Sequence, residues 1–92
     1  MAEYVYPAVF HSHSDGSFTI LYPDLEGCIS EGKNLGNALY MAQSALEQWL
    51  SYLEDSGENI PPASSLGEVP VSPGEFANLV RAVTGAPQVQ YG

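Results

Sequence analysis

The sequence has 92 residues, of which 45% are hydrophobic, and its eleven acidic residues outnumber two basic ones to give a net charge of -9. The hydrophobic fraction excludes a disordered chain, and the length accommodates one domain. Lys33 and Arg81 are too few to neutralise the phosphates of a nucleic-acid strand or to bind an anionic membrane surface.

The acidity has two interpretations, which charge alone leaves open. It keeps a small protein soluble, or it attracts a basic protein partner. No apolar run is long enough to span a bilayer, and the amino terminus lacks the basic start and apolar block of a signal peptide. We therefore expect a cytoplasmic protein.

The amino-terminal part predicts two antiparallel strands. Residues 4–11 are rich in aromatic and β-branched side chains and predict a strand that is apolar on both faces. Pro7 has no backbone N–H to donate, so this strand either lies at an edge of the sheet or directs the Pro7 nitrogen away from the neighbouring strand. Asp15-Gly16 is a hairpin signal, and residues 17–22 alternate, with Phe18, Ile20 and Tyr22 on one face.

The stretch Tyr-Pro-Asp-Leu-Glu-Gly-Cys, residues 22–28, predicts a turn between strands, since Pro23 ends the ladder and Gly27 permits unusual backbone angles. Residues 28–31 predict a short third strand that ends at Gly32. Cys28 is the only cysteine. A nucleophilic thiol would need a nearby base or cation, and a buried, inert thiol is the favoured interpretation.

The next segment predicts a helix of about 20 residues that begins after Asn34 as N-cap and ends at Gly57. Its apolar residues recur at spacings of three and four: Leu35, Ala38, Leu39, Ala42, Ala45, Leu46, Trp49, Leu50 and Leu53. The other face carries Tyr40 and Met41, which either dock a partner or are scattered solvent-facing residues.

Residues 60–66 predict an extended connection with a turn. The last apolar segment, residues 75–83, fits a helix through the capping box of Ser72 and Glu75, and also fits a strand by alternation. We predict a strand, parallel to the first through a crossover.

The predicted fold class is therefore α+β, in the order β-β-β-α-β. It combines an antiparallel three-stranded meander, a parallel fourth strand and one long helix packed on one face. We expect a single domain over residues 1–83 and a flexible tail over residues 84–92.

The pattern indicates no catalytic, metal or cofactor site. Asp15 and Asp24 lie in predicted turns, where Asp is common because its side chain binds nearby backbone. His11 and His13 on a flexible turn are weak evidence for a metal pair, and there is no glycine-rich phosphate loop. We therefore predict that the chain is not an enzyme.

Several segments together resemble the amino-terminal domain of the HicB antitoxin family over about residues 3–83. They are Tyr6-Pro7-Ala8-Val9-Phe10-His11, Asp15-Gly16, Tyr22-Pro23-Asp24-Leu25-Glu26-Gly27-Cys28, Ala38-Leu39-Tyr40-Met41-Ala42, Ala45-Leu46-Glu47-Gln48-Trp49-Leu50 and Ile60-Pro61-Pro62-Ala63-Ser64. The resemblance implies a reduced ribonuclease H-like sheet without catalytic carboxylates. It also implies a structural signature in which Pro23, Asp24 and Gly27 form a turn while Leu25 and Cys28 fill the edge of the core.

The resemblance further implies a partner, a small basic ribonuclease toxin of the HicA type. Binding would neutralise the toxin by occluding its RNA-binding or catalytic surface. Family members usually carry a carboxy-terminal DNA-binding domain, and the sequence shows no such module before Gly92. We therefore expect no operator binding through this chain alone.

Residues for partner contact are proposed from exposed acids near the turns and from tyrosines: Asp15, Tyr22, Glu26, Glu31 and Tyr40. We also expect a homodimer or larger homo-oligomer, because one helix covers one face of the sheet and leaves Tyr4 and Tyr6, or Val5 and Val9, uncovered. The alternatives are a non-catalytic oligomeric scaffold without a toxin partner and, ranked last, a residual nuclease that depends on Asp24.

Overall fold

The computed structural model describes residues 2–85, which form four strands, one α-helix and a short 3-10 helix. In chain order the elements are β1 (Ala2–Ser12), β2 (Phe18–Leu21), β3 (Ile29–Gly32), α1 (Leu35–Ser56), the 3-10 helix (Leu66–Glu68) and β4 (Glu75–Thr84). The predicted α+β class and the predicted order of elements are confirmed.

The long helix begins and ends where the local sequence signals predict. The Asn34 side chain accepts a hydrogen bond from the Asn37 backbone N–H, and Gly57 closes the helix in the left-handed conformation with φ of 69°. The apolar stripe faces the sheet, where Ala38, Ala42 and Leu46 are fully buried. Three small or branched side chains at a spacing of four let the helix lie close to the strands.

The sheet has the order β3-β2-β1-β4, and all three pairs of neighbouring strands are antiparallel. The predicted parallel fourth strand is therefore wrong. After α1 ends, the connection from Gly57 to Gly74 is long enough to cross the sheet from one end of the strands to the other. Gly74 reaches the end of β1, where its carbonyl accepts a hydrogen bond from the Ser12 N–H at 3.1 Å, so β4 runs back along β1.

The core lies between α1 and the face of the sheet that carries the even-numbered residues of β1. Phe10 is fully buried there against Ile20, its direct neighbour on β2, and stacks on the Phe76 ring with 4.8 Å between ring centroids. Tyr4 and Tyr6 lie on this same face. Tyr6 is buried and its hydroxyl donates to the Pro61 carbonyl, so the helix and the connection cover the tyrosines.

Pro7 sits in a central strand without breaking the ladder. The His13 N–H donates to the Ser17 carbonyl, so odd-numbered residues of β1 direct their backbone groups toward β2. β2 ends opposite Val9, so Pro7 lies beyond its end and needs no donor there. The Pro7 nitrogen thus points toward the side of β2, beyond the end of that strand, and away from β4.

The carboxy-terminal boundary needs a correction of one residue, because Thr84 belongs to β4 and is buried. Residues 86–92 of the predicted tail lie outside the described residues. Within residues 2–85, no helix combines the length and the apolar character needed to cross a membrane.

Candidate partner-binding surface

The turn between β2 and β3 is fixed from three sides. The Asp24 carboxylate accepts hydrogen bonds from the Ser64 backbone N–H at 2.9 Å and from the Ser64 hydroxyl at 2.7 Å. Leu25 is buried in the core, and Gly27 has φ of 96°, a left-handed value that favours glycine. Both carboxylate oxygens of Asp24 thus bind the connection between α1 and β4.

Cys28 is part of the core rather than a reactive group. Its side chain is buried, and its sulfur lies 3.9 Å from the Ala45 carbonyl oxygen. Burial raises the pKa of the Cys28 thiol to about 11, which leaves almost no thiolate at neutral pH. A nucleophilic role needs the thiolate, so this geometry does not supply one.

The two histidines have protein partners. His11 Nδ1 lies 3.3 Å from the Glu75 carboxylate, and His13 Nε2 lies 2.7 Å from the Thr19 hydroxyl. Their rings are 5.1 Å apart in an edge-to-face arrangement. Within the part of the chain that the structure describes, no group of three His, Cys, Asp or Glu side chains is placed to hold a metal ion.

The five residues proposed for partner contact do not form one surface. Asp15 precedes β2 and Glu26 follows it, so they lie at opposite ends of that strand. Glu31 is exposed on β3, and Tyr40 is 68% exposed on the helix. Ala38 and Ala42 face the sheet and are buried. Position 40 is two residues from each and points to the opposite side of the helix, so Tyr40 lies on the outer side of α1.

The structure does not place Tyr22 at the surface, where partner contact was expected. Its side chain is only 3% exposed, and its hydroxyl donates to the Ala42 carbonyl at 2.5 Å. Burial raises the pKa of this hydroxyl well above the usual range of tyrosine. The physical reason is the alternation of β2, which places Tyr22 on the same face as Ile20, under the helix. Its ring has no surface to offer a partner.

The outer edge of β3 presents unpaired backbone groups. The Tyr22 N–H donates to the Cys28 carbonyl at 3.3 Å, so even-numbered residues of β3 bond to β2 and odd-numbered residues point outward. At Lys33 the outward N–H donates to the Asn37 side chain at 2.9 Å. Within residues 2–85, no hydrogen bond reaches the outward N–H and C=O groups of Ile29 and Glu31.

Two open concavities adjoin this edge, one at each end of β3. The first, of about 520 Å³, lies beside Glu31 and Gly32 and reaches Met41 on the helix. The second, of about 420 Å³, lies beside Ile29 and is walled by Trp49 and Tyr52. We call the unpaired edge and its two concavities the β3 edge surface: Ile29, Glu31, Met41, Trp49 and Tyr52.

The opposite edge of the sheet, the outer side of β4, differs because side chains cap it. Even-numbered residues bond to β1, and odd-numbered residues point outward. Glu47 accepts from the Val83 N–H at 3.4 Å, and Gln43 donates to the Arg81 carbonyl at 3.0 Å. Nearer the start of the strand, the Asn78 side chain accepts from the Leu79 N–H at 3.0 Å. Such caps protect an edge from pairing with other chains.

The face of the sheet away from the helix keeps four large apolar side chains exposed. They are 39% to 59% exposed and belong to all four strands: Val5, Leu21, Ile29 and Leu79. Val9 lies on this face too but is buried, and so is Pro7 between its neighbours. Of the side chains that we expected to lack cover, Val5 remains exposed.

The sequence prediction named Glu31 and missed Ile29, Trp49 and Tyr52 at the β3 edge surface. A short third strand at the end of a meander is a signal for an edge. The helix positions 41, 45, 48, 49 and 52 share one side by their spacing, which points to a helix flank beside that edge.

Comparison of the sequence with protein families identifies a family of antitoxins. The model described as the HicB_like antitoxin of bacterial toxin-antitoxin system matches residues 6–88. No curated protein sequence matches the chain at a significant level.

Comparison with solved structures finds the same fold in toxin-antitoxin proteins. A chain from a toxin-antitoxin complex of Streptococcus pneumoniae superposes with a TM-score of 0.80 at 19% identity, covering 89% of this chain and 70% of the other. A chain from a HicA3 and HicB3 toxin-antitoxin complex gives 0.71 at 21%, covering 87% and 99%. The amino-terminal domain of the Burkholderia pseudomallei antitoxin HicB gives 0.68 at 22%, covering 84% and 95%.

Proposed function

The chain belongs to the HicB-like antitoxin family, and from this membership we propose that it binds a small basic toxin of the HicA type and neutralises it. Members of this family are non-catalytic partners of toxins, and the chain is accordingly an antitoxin-type protein rather than an enzyme. The family match over residues 6–88 is the observation that carries the proposal.

The charge of the chain supports a basic partner. Eleven acidic residues and two basic ones produce a net charge of -9. Of the two basic side chains, Arg81 is paired with Glu3 at 2.9 Å. A field of this sign accelerates encounter with a basic, RNA-binding protein and opposes contact with RNA itself.

Neutralisation requires only that the antitoxin cover the surface that the toxin uses. A ribonuclease needs an open path for RNA and an accessible catalytic group, so a bound acidic chain that occupies either one stops cleavage without a reaction of its own. We place the contact at the β3 edge surface, which includes Glu31 and has Glu26 beside it. A cytoplasmic location, where messenger RNA is translated, belongs to the same proposal.

The test is calorimetric titration of the chain with the small basic protein encoded next to it, in low and in high salt. We expect binding that weakens by about tenfold or more at high salt, because exposed charge pairs are screened. In the same mixtures, cleavage of RNA by the toxin should stop at equimolar antitoxin. RNA incubated with the antitoxin alone is the control and should remain unbound. Absence of binding at both salt concentrations would refute the proposal.

We also propose that the chain self-associates through the face of the sheet away from the helix. Val5, Leu21, Ile29 and Leu79 expose apolar surface there on all four strands, and such surface is typical of interfaces. Sedimentation equilibrium should give the mass of a dimer or larger assembly at high micromolar concentration. A chain that assembles but binds no toxin would instead fit a non-catalytic scaffold.

A matched pair of variants tests this face. Leu79→Ser removes an apolar side chain that is 47% exposed on the face away from the helix, and Leu35→Ser removes one that is 49% exposed at the start of α1. We expect the first variant to shift the assembly toward monomer and the second to leave it unchanged. A monomeric unmodified chain would refute self-association.

A further inference from the structure

We infer that the basic partner docks by strand addition, with an extended segment of the partner pairing along the outer edge of β3. This inference rests on the proposed function and deepens it by naming the mode of contact. The segment would add a fifth strand beside β3 and bond to Ile29 and Glu31.

The hydrogen bonds available define a short docking window. Ile29 and Glu31 each direct one N–H and one C=O outward, and the two residues lie about 6.6 Å apart along a strand. At one end the Asn37 side chain occupies the next outward N–H, that of Lys33. At the other end the chain turns at Gly27, which has positive φ. An incoming segment therefore pairs over about three residues in a fixed register.

The side chains around the window define the chemistry of the segment. Residues that lie directly opposite Ile29 and Glu31 share their face, so we expect an apolar residue opposite the first and Lys or Arg opposite the second. The residue between these two points to the other side, toward the concavity beside Trp49 and Tyr52. An apolar or aromatic side chain fits that position.

The other edge of the sheet is a poorer match for a basic partner. Gln43, Glu47 and Asn78 occupy three of the outward groups of β4. β4 contains one carboxylate, Glu75, which lies 3.3 Å from the His11 ring, and it also includes the basic Arg81. In contrast, Glu31 lies within the window on β3 and Glu26 lies just before it. Free hydrogen-bonding groups and negative charge coincide at β3.

Three variants separate the backbone contribution from the side chain. Ile29→Pro removes an outward N–H that no hydrogen bond within residues 2–85 uses, at the first residue of a strand, where proline is tolerated. Ile29→Ala removes the same side chain and keeps the N–H. Ala77→Pro makes the equivalent change on β4, since the Ala77 N–H also points outward. Thermal unfolding and the mass of each variant are measured first.

Calorimetry with the neighbouring basic protein then gives the decisive comparison. We expect Ile29→Pro to bind at least about tenfold more weakly than Ile29→Ala, because it loses a hydrogen bond in a desolvated contact and obstructs pairing. Ala77→Pro should bind like the unmodified chain. Equal binding by the two Ile29 variants, or an equal loss in Ala77→Pro, would overturn strand addition and leave the proposed function intact.

Amide exchange offers a second readout that does not depend on a variant. On complex formation the amide protons of Ile29 and Glu31 should become slow to exchange, whereas those of Ser30 and Gly32, which face β2, should be slow already in the free chain. Unchanged exchange at Ile29 and Glu31 in a complex that forms would refute the inference. An unmodified chain that binds no basic protein would refute both the inference and the proposed function.

Discussion

Asp24 and Ser64 join two segments that are forty residues apart, since the carboxylate of Asp24 accepts hydrogen bonds from both the backbone and the hydroxyl of Ser64. The first segment contains the turn between β2 and β3, and the second belongs to the connection that leads to β4. The connection sets the direction of β4, so this contact links a local turn to the topology of the sheet.

Asp24→Asn should lower the free energy of unfolding by about 1.5–3 kcal/mol, the range for hydrogen bonds to a charged group. The amide keeps one acceptor oxygen and places a donor where the second bond was accepted. Ser64→Ala should cost a similar amount, and the double variant should cost less than the sum because both changes remove one interaction. Urea unfolding measures all three.

The control for this cycle is Asp15→Asn, since Asp15 accepts hydrogen bonds from the nearby Ser17 in the exposed hairpin turn. We expect a smaller loss of stability there. Additive losses for Asp24 and Ser64 would show that the contact contributes little energy.

Gly32→Ala should destabilise the fold strongly, because a Cβ atom at Gly32 would lie 2.3 Å from the Ala38 Cα atom. The helix backbone would have to move away from β3, and forced overpacking typically costs about 1–3 kcal/mol or more. Gly67→Ala is the matched control, since no atom of residues 2–85 lies within 4 Å of its added Cβ. A Gly32→Ala variant as stable as Gly67→Ala would contradict this close approach of helix and strand.

The features that the sequence predicts correctly are those set by neighbouring residues. The helix follows from apolar spacing, and its ends follow from Asn34 and Gly57, which act within one turn of chain. The direction of β4 depends instead on the path of the connection after the helix. That path is fixed by contacts such as the hydrogen bonds between Asp24 and Ser64. Such contacts join distant residues, so the periodicity of the sequence does not predict them.

The same distinction separates the candidate site residues. Alternation in β2 groups Tyr22 with Phe18 and Ile20, but β2 alone does not tell which of its two faces the helix covers. The caps on β4 by Gln43 and Glu47 depend on how the helix crosses the sheet. Glu31 could be predicted as exposed because an acidic side chain near a turn is rarely buried without a partner.

Glu54 should make stability depend on pH in the acidic range. Hydrogen bonds from the Tyr4 hydroxyl and the Thr84 hydroxyl hold the pKa of the Glu54 carboxyl below its ordinary value of 4.5. A carboxyl with a lowered pKa in the folded state stabilises the fold above its unfolded pKa. This contribution is lost as the pH falls from about 4.5 through the lower pKa of the folded state.

Unfolding in urea from pH 6 to pH 2, about the range in which carboxyls titrate, measures this effect. Glu54→Gln should be less stable than the unmodified chain at the upper end, and the two should converge at the lower end. Asp55→Asn, at the next and exposed helix position, removes the same negative charge and is the control for the loss of charge alone. An unchanged pH profile in Glu54→Gln would contradict the assignment.

Gln43 and Glu47 should act as guards of the β4 edge rather than as major sources of stability. They lie one helical turn apart, and both reach the outward backbone groups of β4, at Arg81 and Val83. In Gln43→Ala with Glu47→Ala, those groups return to water, so each change should cost less than about 1.5 kcal/mol. The uncovered edge, however, becomes a template for pairing with another chain. We therefore expect light scattering to show self-association at lower protein concentration.

Glu47→Gln controls for the lost charge, because its carbonyl oxygen still accepts from Val83. Scattering that rises equally in Glu47→Gln would assign the effect to charge and not to the edge.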